Sequence, residues 1–122
     1  MNNRGTVLIC DSDYAFLNEM ERSLSNDVFD VDTIDNAVDL IPSAIRLQPH
    51  VILVNPEMPG FNEYDVCKHI IKEHRVQLIL LLDADSSART HLGDCMVEDA
   101  VIKPVDIASL TNLLEKHFSL NQ

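Results

Sequence analysis

Residues 51–60 read Val51-Ile52-Leu53-Val54-Asn55-Pro56-Glu57-Met58-Pro59-Gly60. Four successive aliphatic residues suit a strand covered on both faces, because a strand with one wet face would alternate apolar and polar side chains. The run stops on a polar side chain, Asn55. The two prolines and the glycine that follow mark a turn and loop. Asn55 is therefore expected at the end of a buried strand, where the chain leaves the sheet.

Working outward, apolar runs alternate with amphipathic stretches. Thr6–Cys10 reads as a buried strand, and Asp13–Leu24 as a helix with Phe16, Leu17, Met20 and Leu24 at helical spacing. Val28–Ile34 reads as the second strand. Asn36–Leu47 reads as a helix with Val38, Ile41 and Ile45 on one face, and Pro42 inside it predicts a kink or a late start. Val51–Asn55 is the third strand, and Tyr64–His74 a helix turning Val66, Cys67, Ile70 and Ile71 inward. Gln77–Leu82 is the fourth strand. Ser86–Leu92 reads as a short helix and Ala100–Ile102 as the fifth strand. Asp106 is placed to cap a last helix carrying Ile107, Leu110, Leu113, Leu114 and Phe118. Five βα units imply an α/β fold, a parallel sheet with helices on both faces. No internal linker or repeat interrupts residues 1–122, so one domain is expected.

The bulk numbers narrow the function. The chain has 122 residues, of which 46% are hydrophobic, enough for one core without disulfides or metal. No apolar run approaches the roughly 18 residues that span a bilayer. The start, Met1-Asn2-Asn3-Arg4-Gly5, is too short and polar for a signal peptide, so a cytoplasmic location is the expectation. Nine basic against twenty acidic residues give a formal net charge of −11. That argues against nucleic acid and against anionic membrane surfaces, and leaves a basic or apolar protein partner. Cys10, Cys67 and Cys95 are odd in number and form no C-x-x-C pair; they read as reduced, small, mostly buried residues, with only Lys68 as a basic flank.

In such sheets ligands sit beyond the carboxyl ends of the strands. The residues there are Asp11, Ser12, Asp13, Asn55, Asp83 and Lys103. In four places the chain resembles the CheY-like receiver domains of bacterial response regulators: Val7-Leu8-Ile9-Cys10-Asp11-Ser12-Asp13, Val51 to Gly60, Leu78 to Ala84, and Ile102-Lys103-Pro104. The resemblance covers the whole chain. It implies a flavodoxin-like, doubly wound five-stranded sheet of order 2-1-3-4-5 and a role in two-component, or phosphorelay, signalling.

The resemblance also implies a working pocket, from which this chain departs. The family's pocket has two acidic residues after the first strand, an aspartate nucleophile after the third, a Thr or Ser after the fourth and a Lys-Pro after the fifth. Here the first acidic position is Asp11, the second is Ser12, and Asp13 points elsewhere if the strand alternates. The nucleophile position holds Asn55, the Thr/Ser position Asp83, and the aromatic position on the fifth strand Ala100. Lys103 and Pro104 are kept. The segment between Asp83 and Lys103 is slightly short, and Met96 stands where a glycine is common, so that turn is expected to be rebuilt. An amide has no anionic oxygen to attack phosphorus. Rescue by deamidation uses the next residue's N–H, which Pro56 lacks. An engineered Asp→Asn change would need only one substitution, so Ser12 and Asp83 favour natural degeneration. Mg²⁺ wants oxygen ligands including carboxylates. No metal cofactor is expected beyond weak Mg²⁺ binding at Asp11 and Asp13. An Asp83–Lys103 ion pair, shared with Asp11, is expected to fill the phosphoryl space; the bland reading makes Asp83 an exposed cap near Ser86.

No other constellation competes. His50, His69, His74, His91 and His117 form no zinc spacing and read as surface or helix-end residues. Gly5, Gly60 and Gly93 make no phosphate-binding loop, and no nucleophile elbow exists, so an enzyme is not expected. The expectation is a stand-alone receiver-like interaction module, a pseudo-receiver. Its partner would be a histidine kinase, another signalling protein or a second copy. The implied contact face includes Thr90, His91, Val101, Asn112 and Lys116. Two alternatives stay open: a phosphorylatable receiver using Asp83 or Asp11 as acceptor, and a small-ligand-binding flavodoxin-like protein.

Overall fold

A computed structural model describes residues 5–25, 29–84, 91–97 and 99–120. Its elements are β1 Gly5–Cys10, α1 Tyr14–Leu24, β2 Phe29–Ile34, α2 Leu40–Leu47, β3 Val51–Val54, α3 Glu63–Val66, β4 Gln77–Leu82, β5 His91–Leu92, β6 Cys95–Met96, β7 Asp99–Ile102 and α4 Ile107–Leu120. Beyond Val66 the helix of α3 continues as a π-helical segment, Cys67–Lys72. The main sheet is parallel, in the order β2-β1-β3-β4-β7. This is the expected 2-1-3-4-5 order, with β7 as the fifth strand.

The strands sort their side chains by parity. Leu8, Cys10, Ile52, Val54, Leu78, Leu80 and Leu82 face one way and pack on Leu40 and Ala44 of α2 and on Val66 and Ile70. Val7, Ile9, Val51, Leu53, Ile79 and Leu81 face the other way, against Leu17, Met20 and Leu24 of α1 and Leu110 and Leu114 of α4. A period of two in every strand thus meets a helical stripe on each face, and the continuous apolar strands are explained.

Caps match the local sequence. Asp13 Oδ1 accepts the Phe16 N–H (3.1 Å) at the start of α1. Asn62 Oδ1 accepts the Asp65 N–H (3.0 Å) at α3. Asp106 Oδ2 accepts from both the backbone N–H (3.0 Å) and the hydroxyl (2.6 Å) of Ser109 at α4. These last two bonds hold the Asp106 carboxyl below its usual range. α2 starts late, at Leu40, as Pro42 requires: the proline falls in the first turn, where its missing N–H has no helical partner.

Several expectations need correction. The buried face of α2 is Leu40, Ser43 and Ala44; Val38 precedes the helix and is 78% exposed, and Ile45 is also exposed. Ile41 does pack against the core as expected, but the count from Asn36 includes Val38, which the late start leaves outside the helix. His117 is not a surface residue: it is 2% exposed, with Nε2 3.3 Å from Asp99 Oδ2 and Nδ1 hydrogen-bonded with Gln77 Oε1. α4 lies across the sheet closely enough to bury its far end there. The helix expected over 86–92 falls partly outside the described residues, but His91–Leu92 is a strand, paired antiparallel with Cys95–Met96. The turn expected to be rebuilt around Met96 is a hairpin in which Gly93, at φ +58°, supplies the left-handed residue and Met96 lies in the returning strand. Cys67 and Cys95 are not reduced; they form a disulfide with Cα atoms 5.6 Å apart, leaving Cys10 as the free, buried cysteine. Sequence spacing could not show that a hairpin folds back over α3.

Leu114→Ala is expected to cost about 2–5 kcal/mol in urea unfolding, because it empties a fully buried site between α4 and the sheet. Val38→Ala should change stability by no more than about 0.5 kcal/mol. Equal losses in the two variants would contradict the assigned core.

Candidate functional site

Three backbone hydrogen bonds assemble the site. Each parallel ladder runs one residue past its strand, so polar residues at the rim stay in register. Asp11 N–H donates to Ile34 O (3.2 Å), Asn55 N–H to Cys10 O (3.0 Å) and Lys103 N–H to Leu82 O (2.8 Å). Asn55 is thereby set beside Asp11, and Lys103 beside Asp83, at the carboxyl edge of the sheet. The Lys103–Pro104 peptide bond is cis.

Asp11 is the buried charge of the cluster, only 1% exposed. Its Oδ1 accepts the Asp13 N–H at 2.9 Å. Its Oδ2 forms an ion pair with Lys103 Nζ at 2.6 Å and has no partner in hydrogen-bond geometry among the described residues. The Lys103 ammonium also lies over the Phe16 ring, 4.1 Å from its centroid. An ammonium so placed gains from the ring's negative face as well as from the carboxylate.

Asn55 is buried and already occupied. Pro56 has no N–H, so the first available donor is that of Glu57, which donates to Asn55 Oδ1 at 2.9 Å. The amide thus closes the turn into the loop after β3. Ser12 and Asp13 are exposed, and Asp13 is engaged as the cap of α1. β1 ends at Cys10, so its alternation does not reach Asp13, whose carboxylate caps α1 and borders the cleft that Lys103 also lines.

The expected Asp83–Lys103 pair does not form. Asp83 is exposed and has no ion-pair partner among the described residues, while Lys103 reaches Asp11. The share assigned to Asp11 is the whole of the pair: a carboxylate shut away from water needs the cation more than one that water already solvates. Ser86, the partner in the capping alternative, lies outside the described residues. Asp83 and Lys103 do line a common open cleft of about 620 Å³, with Asp13, Phe16, Glu19 and Arg22 around it.

Phe16 is the site residue that the sequence reading missed. It was read only as part of the inner stripe of α1, yet its place in the first turn after Asp11 and Asp13 puts it over the strand ends. Cys10 adjoins the cluster from below, with Sγ 3.5 Å from Met58 Sδ. Burial, then the negative charges of Asp11, Asp35 and Asp39, push its thiol up to about 12. Of the residues assigned to a contact face, His91, Asn112 and Lys116 are exposed, Val101 is half-buried against the α1–α4 side, and Thr90 lies outside the described residues.

Two outcomes follow. Lys103→Met should destabilise the fold by about 3–5 kcal/mol, by stranding the Asp11 carboxylate, and the Asp11→Asn/Lys103→Met double variant should lose less than the single one. Additive losses in denaturant titrations would show that the two side chains act independently. For Cys10 the folded thiol keeps its proton to about pH 12, whereas in the unfolded chain it ionises near 9.0. The unfolded state then holds fewer protons in that window, so this group's contribution to stability falls as pH rises from 9 to 12. Cys10→Ala should flatten that part of the stability-versus-pH curve.

The comparisons with known proteins agree with this geometry. The response regulator receiver domain family matches residues 7–115. Among solved structures, the fold is similar to the signal receiver domain of an HD domain-containing protein from Pseudomonas fluorescens Pf-5, at 16% identity and a TM-score of 0.81, covering 96% of this chain and 96% of that one. It is similar to a response regulator from Desulfuromonas acetoxidans, at 23% identity and a TM-score of 0.79, covering 95% and 98%. The chemotaxis response regulator CheY4 of Vibrio cholerae matches at 15% identity and a TM-score of 0.79, covering 94% and 99%. At these identities the structural likeness speaks for the fold, and the family match speaks for the sequence. With a matching family over most of its length and the strand-end cluster of Asp11, Asn55 and Lys103 in place, the chain belongs to the response regulator receiver domains of two-component signalling.

Proposed function

We propose that this receiver domain works without phosphorylation at the usual position and acts by binding another protein. The observation that carries the reading is Asn55: the residue at the end of β3 is an amide whose oxygen already accepts the Glu57 N–H. It offers no anionic nucleophile. Lys103 adds support, since its ammonium is engaged by Asp11 and Phe16 and is already compensated without a phosphoryl group.

The cluster is also poorly suited to Mg²⁺. The ion favours several oxygen ligands, commonly one or two carboxylates, and resists dehydration. Asp11 is the only buried carboxylate here; one oxygen is held by a backbone N–H and the other by the ammonium. Asn55 Oδ1 is committed and Asp13 is turned to α1. A bound cation would have to displace Lys103 first. No cofactor is therefore part of the reading, and no enzymatic step is assigned.

The partner is a protein of two-component signalling, a histidine kinase or another signalling protein, or a second copy, met in the cytoplasm. His91, Val101, Asn112 and Lys116, with Thr90, are the proposed contact residues. With a net charge of −11 the domain favours a basic or apolar partner over nucleic acid or an anionic membrane. A second reading has one observation in its favour: Asp83 is an exposed carboxylate in the same cleft as Lys103, and so is open to a phosphoryl donor.

An amide NMR titration with Mg²⁺ and then beryllofluoride, a phosphoryl mimic, tests the proposal. No saturable shift at Asn55, Asp83 or Lys103 is expected. Asn55→Asp should restore a response that spreads from the pocket. A saturable response in the unmodified protein would overturn the reading. Acetyl phosphate followed by peptide mass mapping would then show whether Asp83 or Asp11 is the acceptor.

A further inference from the structure

We propose that the Cys67–Cys95 disulfide is a redox-responsive tie that sets how firmly the β5–β6 hairpin is held against the helix running from Glu63 to Lys72. The inference goes beyond the interaction role above and uses no residue of the Asp11–Asn55–Lys103 cluster, so either can fail without the other.

The two ends of the bridge are unequal. Cys67 opens the π-helical segment, whose neighbours Val66 and Ile70 are fixed in the core. Cys95 stands in a hairpin whose strands have only two residues each. Such a short ladder holds poorly by itself. Three contacts are among those that anchor it. Leu92 is fully buried in the α2–α3 side of the core. Gly93 lies so close to Tyr64 that a Cβ there would sit 2.9 Å from Tyr64 Cδ1. The third anchor is the bridge, the only covalent one, which closes a separation of 28 residues. Closing so long a loop removes substantial chain freedom, and its loss falls on the hairpin, because β1, β3 and β4 are held by their own ladders and by both core faces.

Both cysteines are buried, at 3% and 5% exposure, so a reductant reaches the sulfurs only when the hairpin lifts. Reduction and local opening are therefore coupled: the reductant captures the lifted hairpin, and reoxidation secures the docked one. Cys10, packed against Met58 at the end of β1, is not positioned to compete for either sulfur. In a reducing compartment a disulfide of this sort is characteristically transient or redox-sensing rather than a permanent staple.

The reaction needs a dithiol reductant of the thioredoxin class. Its thiolate attacks one Sγ, the Cys67–Cys95 S–S bond breaks, and the displaced sulfur leaves as a thiolate that takes up a proton. The reductant's second thiol then displaces the remaining protein sulfur. The protein gains two thiols, and the reductant becomes the disulfide.

The test uses the full chain and dithiothreitol as the probe. Unfolded in an alkylating agent without reductant, the protein should be modified at Cys10 alone, and after dithiothreitol at all three cysteines. Under native conditions, amide hydrogen exchange over residues 91–97 should accelerate at least about tenfold on reduction, while β1, β3 and β4 keep their protection, and reoxidation should reverse the change. The Cys67→Ser/Cys95→Ser double variant should exchange fast at the hairpin with or without dithiothreitol. Alkylation of all three cysteines without reductant would overturn the proposal. So would an unchanged hairpin rate, or a loss of protection throughout the sheet, which would make the bridge a global staple. The reduction experiment on the unaltered chain decides the matter even if the variant fails to fold.

Discussion

A carboxylate that water cannot reach must find its compensation in the protein, and Asp11 is such a group. The backbone N–H of Asp13 and the ammonium of Lys103 supply it. Asp11 follows β1 and Lys103 follows β7, with β3 and β4 between them in the sheet. One ion pair therefore spans the middle of the sheet at its carboxyl edge and stitches the last strand to the first. Phe16, over the same ammonium, couples α1 to the pair. Asn55 sits between, its side-chain oxygen engaged by the turn that follows. The functional edge of the molecule is organised by satisfying a single buried charge.

Most of the fold could be read from period and punctuation. Apolar runs of four or five residues at Val7–Cys10, Val51–Val54 and Leu78–Leu82 gave the central strands, because only a sheet covered on both sides buries such runs completely. The residues gathered at the strand ends were legible for the same reason: each was the first polar residue after a run. Strand order was not legible from period, and came with the family likeness. Pairing within the site was less accessible still. The family likeness made Asp83 the natural partner of Lys103, but burial decided otherwise, and burial depends on how β1 and β7 are spaced in three dimensions.

The failures share a cause. The face of α2, the interior position of His117 and the Cys67–Cys95 bridge all depend on where an element lies against another rather than on its own periodicity. The segment after Leu82 departs most from a regular βα repeat. Its short hairpin fills with Leu92 a part of the core that a helix was expected to cover. The π-helical winding from Cys67 belongs to the same region. Val66, Cys67 and Ile70 still face the core there, as the helical stripe predicts.

The two rims of the sheet differ in a way that bears on assembly. Among the described residues, β2 and β7 have no strand on their outer sides. An uncovered strand presents backbone donors and acceptors to any other chain, and charged side chains along it are a common defence. β2 carries Asp30 and Asp32, and Asp35 follows it directly. Two molecules meeting at this rim would bring like charges together along the whole strand, so stacking of sheets end to end is opposed by the sequence itself. β7 reads Asp99-Ala100-Val101-Ile102, with Ala100 and Ile102 exposed, and lacks that guard along its outer half. Edge-to-edge strand addition is thus opposed by charge along β2 and met by fewer charges along β7, so the two rims of one sheet resist aggregation unequally.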